Sequence, residues 1–335
     1  MELRMSWITT LLISILLFTA FVNAQETGVM LEFNYHPGEV NRYQMNGVGT
    51  GTMQMSGMEN AFPLSENSTT SFPLVMDLHG YITMSTKQVD TEGTANIDLT
   101  FDELVENIEM MGQKIALLMS KDKVEMYMNG NQMFSSSSSS MLPFFGKPIA
   151  YKVTKSGKMV EFGGMEWMNE LMKGFGSGVD FNDIVKQTQP VFPEYPVKVN
   201  DSWVSTTELK IPQLSGKTAN MVMRSTLQGF ETIEQSRCAV IQVSGNFDLS
   251  NMKFNLPGEK ENKGTMPEIN FKKLHQVIKG KIYHALVEGQ MVKAEYDQNL
   301  GMEMAMTMSM PTTKTKSEIT TSMDLVMHLT MELED

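Results

Sequence analysis

The chain has 335 residues, a formal net charge of -12 and one cysteine, Cys238. An acidic balance with no basic cluster argues against a nucleic-acid partner or an anionic lipid surface, both of which need clustered cations. A single thiol excludes an intramolecular disulfide framework, and 33 methionines beside only 8% aromatic residues mark the thioether as a main apolar filler.

Arg4 precedes an apolar run from Trp7 to Val22 that ends at Val22-Asn23-Ala24. This small-x-small ending suits a signal peptidase, so residues 1–24 read as a signal peptide with Gln25 as the mature start. The alternative is an uncleaved anchor. The run is marginal for a span of about 20 residues and contains Thr and Ser, which favours cleavage. No cysteine lies near the cleavage point, which argues against a lipoprotein anchor, and no later stretch approaches a transmembrane helix. Glu2 and Arg4 cancel, so the mature chain keeps its charge. An exported chain of this length without disulfides fits a bacterial envelope, periplasmic or secreted.

Residues 25–163 alternate with period two, the signature of strands with one apolar and one wet face. Residues 29–35 read as a short apolar strand, followed by a turn at Pro37-Gly38. Residues 40–57 place Tyr43, Met45, Met53 and Met55 on one parity, interrupted by Gly47, Gly49 and Gly51. Residues 71–89 follow with Leu74, Met76, Leu78, Ile82 and Met84. Then come Ala95, Ile97, Leu99 and Phe101. Residues 103–110 fit either a helix or a continued strand. Residues 113–119 and 123–128 read as strands, closed by the turn pair Asn129-Gly130. The serine run 135–140 reads as an exposed loop. A hairpin over 147–162 turns at Gly157.

The texture changes at 164–196. Met165, Met168, Leu171, Met172 and Phe175 recur at helical spacing. A second short helix is expected over 181–188, then a proline-punctuated linker over 189–196. Strands resume over 197–335: at 202–211, 218–233, 237–250, 271–287, 291–310 and 319–333, with a polar loop at 251–270. The predicted fold is mainly β with a small helical insert. Two similar halves supply long curved antiparallel meanders resembling an open half-barrel.

Two segments carry a resemblance. Tyr151-Lys-Val-Thr-Lys-Ser-Gly-Lys-Met-Val-Glu-Phe-Gly-Gly164 and Phe192-Pro-Glu-Tyr-Pro-Val-Lys-Val-Asn-Asp-Ser-Trp203 resemble a family of uncharacterised exported bacterial proteins. In that family a strand-Gly-strand hairpin precedes a helix, and an FP-x-x-PV-x-x-GDSW segment opens the second half. Asn200 stands where that family has Gly. The resemblance implies an architecture similar to the periplasmic lipoprotein carriers of the LolA and LppX type. It brings no catalytic residues.

Motifs for catalysis are weak. Ser215-Gly216-Lys217-Thr218 lacks the earlier glycine of a phosphate-binding loop, that position being Ile211. Gly174 to Gly178 lacks the spacing of a nucleophile elbow and reads as a helix stop. The five histidines are scattered, with no pair at zinc-ligand spacing; His79, His284 and His328 are expected at a solvent face or edge. Trp203 reads as a core anchor. No enzymatic activity and no cofactor are expected.

The unusual chemistry is thioether. Met302, Met304, Met306, Met308 and Met310 form a ladder, and Met323, Met327 and Met331 lie on the arm that follows. Thioether sulfur selects Cu(I), but neighbours on one strand face stand about 6.6 Å apart. A shared ion would need help from Met323, Met327 and Met331 across the hairpin. Methionine also fills irregular apolar space and suits adaptable binding surfaces. The preferred reading is a non-enzymatic exported protein that binds a lipid or an apolar polypeptide. The binding face would carry Met302, Met304, Met306, Met308, Met323 and Met327. An envelope structural protein with a packed core and a Cu(I) binder are the alternatives.

Overall fold

The computed structural model describes residues 28–57, 70–137, 148–163, 191–210, 218–248, 252–254, 268–309 and 316–334. The period-two segments become strands. The first half supplies β1 (Val40–Ser56), β2 (Thr70–Val89), β3 (Ala95–Met110), β4 (Gln113–Ser120), β5 (Lys123–Met128), β6 (Asn131–Ser137), β7 (Ile149–Val153) and β8 (Met159–Phe162). The second half supplies β9 (Ser202–Lys210), β10 (Thr218–Ile233), β11 (Ser236–Asp248), β12 (Met252–Phe254), β13 (Glu268–Ala285), β14 (Gln290–Ser309) and β15 (Lys316–Leu333). No helix occurs among the described residues. The helices expected over 164–175 and 181–188 lie outside them, as does the proposed signal peptide.

All the strands join one 15-stranded antiparallel sheet, ordered β6-β5-β4-β3-β2-β1-β15-β14-β13-β11-β10-β9, with β12 on β13 and the β7–β8 hairpin on β3. β1 runs against β15 from Tyr43↔Leu333 to Ser56↔Thr320. This pairing of distant segments makes the two meanders one sheet. β6 and β9 end the order without pairing to each other, so the sheet is open, not a barrel.

β3 is shared by two partners. Its residues Ala95–Leu99 pair with β7 and Glu103–Met110 with β4. Ladders on both sides make 103–110 a strand, and a bulge between Phe101 and Glu103 switches the parity that faces inward. The serine run begins inside β6 rather than after it, because Ser135 and Ser136 pair with Glu125 and Val124. Likewise the polar loop 251–270 contributes β12 and the start of β13.

Tight turns use residues that tolerate the left-handed region. Asn129 and Gly130 have φ 51° and 80°, a two-residue hairpin in which both φ angles are positive. Asn200 has φ 73°, a conformation open to Gly and accessible to Asn. Asn200→Gly is therefore expected to leave stability unchanged or raise it. Asn200→Val should cost about 1–2 kcal/mol, measured by chemical unfolding.

The segment 29–35 is a strap, not a strand. Only Val29 makes a ladder-like bridge, to Val197 (2.8 and 2.9 Å). Further on, Phe33 N–H donates to the Lys155 carbonyl (2.7 Å) and Asn34 N–H to the Gly289 carbonyl (2.9 Å). Its partners are turns of separate hairpins, so no ladder continues.

Strap and sheet enclose a core at one end of the molecule. Leu31, Phe192, Val197, Trp203, Leu227 and Ile241 are buried together. Beside them Ala95, Ile97, Tyr151, Val153 and Met159 form a second cluster under the β7–β8 hairpin. The segment expected as a linker thus enters the core: Phe192 is buried, and the Trp203 indole N–H donates to the Val191 carbonyl (2.8 Å). Trp203 is the core anchor that the sequence suggested.

His284 departs from its expected solvent position. It is 1% exposed, edge-on to Phe33 (5.0 Å) and Phe192 (4.9 Å). Its Nε2–H donates to the Glu32 carbonyl (2.9 Å), and Nδ1 is buried without a partner among the described residues. The strap covers what would otherwise be an exposed strand position. His79 and His328 do lie at the surface, hydrogen-bonded to Asn46 and Asp297.

Candidate ligand-binding face

The face beneath the strap is the inner face. Along β15 the odd positions Met323, Leu325, Met327, Leu329 and Met331 are buried or half-buried, while Asp324, Val326, His328 and Glu332 between them are exposed. Register extends the pattern across the sheet. Phe72, Met53, Met323, Met302 and Leu274 form one row over β2, β1, β15, β14 and β13. All five are half-buried. Directly opposed residues in such a row hold their Cβ atoms about 4.5–5.5 Å apart.

Glycines shape the rows nearer the strap. A Cβ on Gly47 would lie 3.2 Å from Leu329 Cδ1 and 3.4 Å from Leu78 Cβ. A Cβ on Gly280 would lie 2.6 Å from the Tyr296 ring. Missing side chains at these positions let large neighbours lean over the backbone. Ile97 on β3 and Ile282 on β13 line one common cavity. They are five ladder steps apart, about 24 Å on a flat sheet, so the sheet curls and the inner face is concave.

Polarity separates the two faces. On β1, β2, β14 and β15 the inner positions described carry no Asp, Glu, Lys or Arg. The outer face carries the ion pairs. Lys293 meets Glu332 at 2.7 Å and Glu295 at 3.1 Å, and Arg42 meets Glu334 at 2.8 Å. Hydrogen bonds to Glu332 and Glu295 hold the Lys293 ammonium above its usual range.

The six ladder and arm methionines are not equivalent. Met302 and Met323 stand directly opposite each other, with Met53 on the far side of Met323. Met304 opposes Thr321 and is half-buried; Met327 opposes Gly49 and Gln298. Met306 and Met308 belong to β14 by backbone pairing, opposite Ile319 and Ser317. Of the arm methionines expected to help hold an ion, only Met323 meets the ladder; Met327 and Met331 oppose Gln298 and Ala294. Met53 is the residue of this candidate face that sequence reasoning passed over. Its parity was visible, but the β1–β15 pairing that brings it here was not.

Among the described residues no group of three or more His, Cys, Asp or Glu side chains could hold a metal ion. No helix among them is long and apolar enough to cross a membrane. No family model matches the chain, and no curated protein matches it.

Proposed function

We propose that this is an exported, non-enzymatic protein that binds a hydrophobic ligand on the methionine-lined concave face. The ligand is a lipid acyl chain or an apolar segment of another exported polypeptide. The observation that carries this reading is the row Phe72–Met53–Met323–Met302–Leu274, five large apolar side chains in register, each half-buried. Flexible thioethers at its centre suit a ligand of variable shape. The absence of charge from the described inner positions of β1, β2, β14 and β15 suits hydrocarbon, which gains about 25 cal/mol per Å² buried. The segments at 151–164 and 192–203, with their resemblance to a family of uncharacterised exported bacterial proteins, support the exported part of this reading. Met304, Met306, Met308 and Met327 belong to this proposed face.

A second reading has its own observation. Met53, Met323 and Met302 lie on three adjacent strands, where spacing of about 4.8 Å allows the sulfurs to converge as it does not along one strand. Three thioethers suit Cu(I). One pair of variants separates the readings. Replacing all three with Leu keeps the surface apolar but removes sulfur; replacing all three with Gln keeps the size but makes it polar. For acyl-chain binding, a fluorescent long-chain acyl probe should bind the Leu variant nearly as well as wild type and the Gln variant at least about tenfold more weakly. Cu(I) affinity lost in both variants, with acyl binding unchanged in both, would reverse the choice.

A further inference from the structure

A cavity of about 230 Å³ lies between the strap, the β7–β8 hairpin and the inner face. That is many times the roughly 10–15 Å³ needed for one water. Its wall is largely apolar, with Ile82, Met84, Ile97, Leu99, Ile282 and Phe192 among the lining residues. Four tyrosines also reach it: Tyr35, Tyr43, Tyr151 and Tyr296. The Tyr43 hydroxyl is already committed, donating to the Met291 carbonyl (3.1 Å). The Tyr151 hydroxyl is not. Tyr151 is 4% exposed, and its Oη is buried without a hydrogen-bond partner among the described residues. A buried phenol left unpaired costs about 1–3 kcal/mol, so such an atom marks a missing partner.

We propose that this cavity is a second ligand site, taking an uncharged, mostly apolar molecule whose carbonyl oxygen accepts a hydrogen bond from the Tyr151 hydroxyl. The lining decides the charge. Among the described residues it contains no Lys, Arg or His, and its one carboxyl is Glu39. A carboxylate with no cation beside it repels an anionic ligand. The Glu39 oxygens accept from the His36 N–H (3.1 Å) and the Asn41 amide (3.0 Å), which uses part of their acceptor capacity, and an ammonium would lose its hydration against the apolar wall. Burial keeps the Tyr151 phenol protonated, with Tyr43 adding to the effect, so it stays a donor. An ester, a ketone or a tertiary amide on an aliphatic tail fits this wall and this donor. The site stands apart from the methionine row, because Met53, Met302 and Met323 do not line the cavity.

The test titrates the full-length protein carrying Met53→Gln, Met302→Gln and Met323→Gln, which removes the methionine row as a competing acyl site, with methyl octanoate, octanoate and octylammonium by calorimetry. Methyl octanoate is expected to bind one per chain, and the two charged probes at least about tenfold more weakly. Tyr151→Phe should weaken methyl octanoate about tenfold, and Leu99→Trp, which fills the cavity, should abolish binding. Equal binding by Tyr151→Phe, by octanoate or by the filled variant would overturn the proposal. Thermal unfolding guards the result. Tyr151→Phe without ligand should melt at or above wild type; a lower melting temperature means that the hydroxyl already has a partner and overturns the proposal too.

Discussion

Phe192→Ala is expected to destabilise the protein by about 3–5 kcal/mol, the range for removing a buried aromatic side chain. Phe192 is 2% exposed and stacks on Phe33 at 5.0 Å with an interplanar angle of 11°. It meets the edge of His284, and its backbone N–H donates to the Ser156 carbonyl (2.8 Å). One residue therefore joins the strap, the β7–β8 turn and β13. Its loss also widens the cavity it lines, and a void forfeits dispersion contacts that solvent cannot replace. Tyr195→Ala is the control: it lies three residues away and is 57% exposed, so the change should stay within about 0.5 kcal/mol. Urea unfolding followed by tryptophan fluorescence measures both. Similar values for the two variants would mean that this segment is the plain linker its prolines suggest.

His284 makes stability depend on pH. Burial lowers its pKa from 6.5 to about 4, against a smaller opposing effect of the hydrogen bond to Glu32. Between those values the unfolded chain binds a proton that the folded chain does not. Lowering the pH through this window therefore favours unfolding. The contribution is fully present above about pH 6.5 and is lost by about pH 4, with a size of about 3 kcal/mol. Wild type should lose that much more stability than His284→Gln between pH 7 and pH 4, measured by urea unfolding at each pH. Parallel losses in the two proteins would place the imidazole in water rather than against Phe33 and Phe192.

Most of the strands were legible because period two survives in nearly every segment. Alternation in 300–310 and 319–333 marked β14 and β15, and Asn129-Gly130 marked a turn with two positive φ angles. What local pattern could not supply was contact between distant segments. The β1–β15 pairing closes a loop between residues 56 and 320, and no alternation within either strand encodes it. The same gap hid Met53. The strap misled because 29–35 has strand composition but no edge to join. Its hydrogen bonds go to the Lys155 and Gly289 carbonyls of unrelated turns. His284 misled for a related reason: its strand position would be open but for the strap that crosses it.

The proposed binding face is the central claim, and native mass spectrometry of the purified protein tests it most directly. The expected result is a lipid-mass adduct on the wild-type chain that organic extraction removes, and that is lost when Met53, Met302 and Met323 are replaced with Gln. A chain that carries no adduct and takes up none from lipid vesicles would contradict the claim, as would an adduct unchanged in that variant.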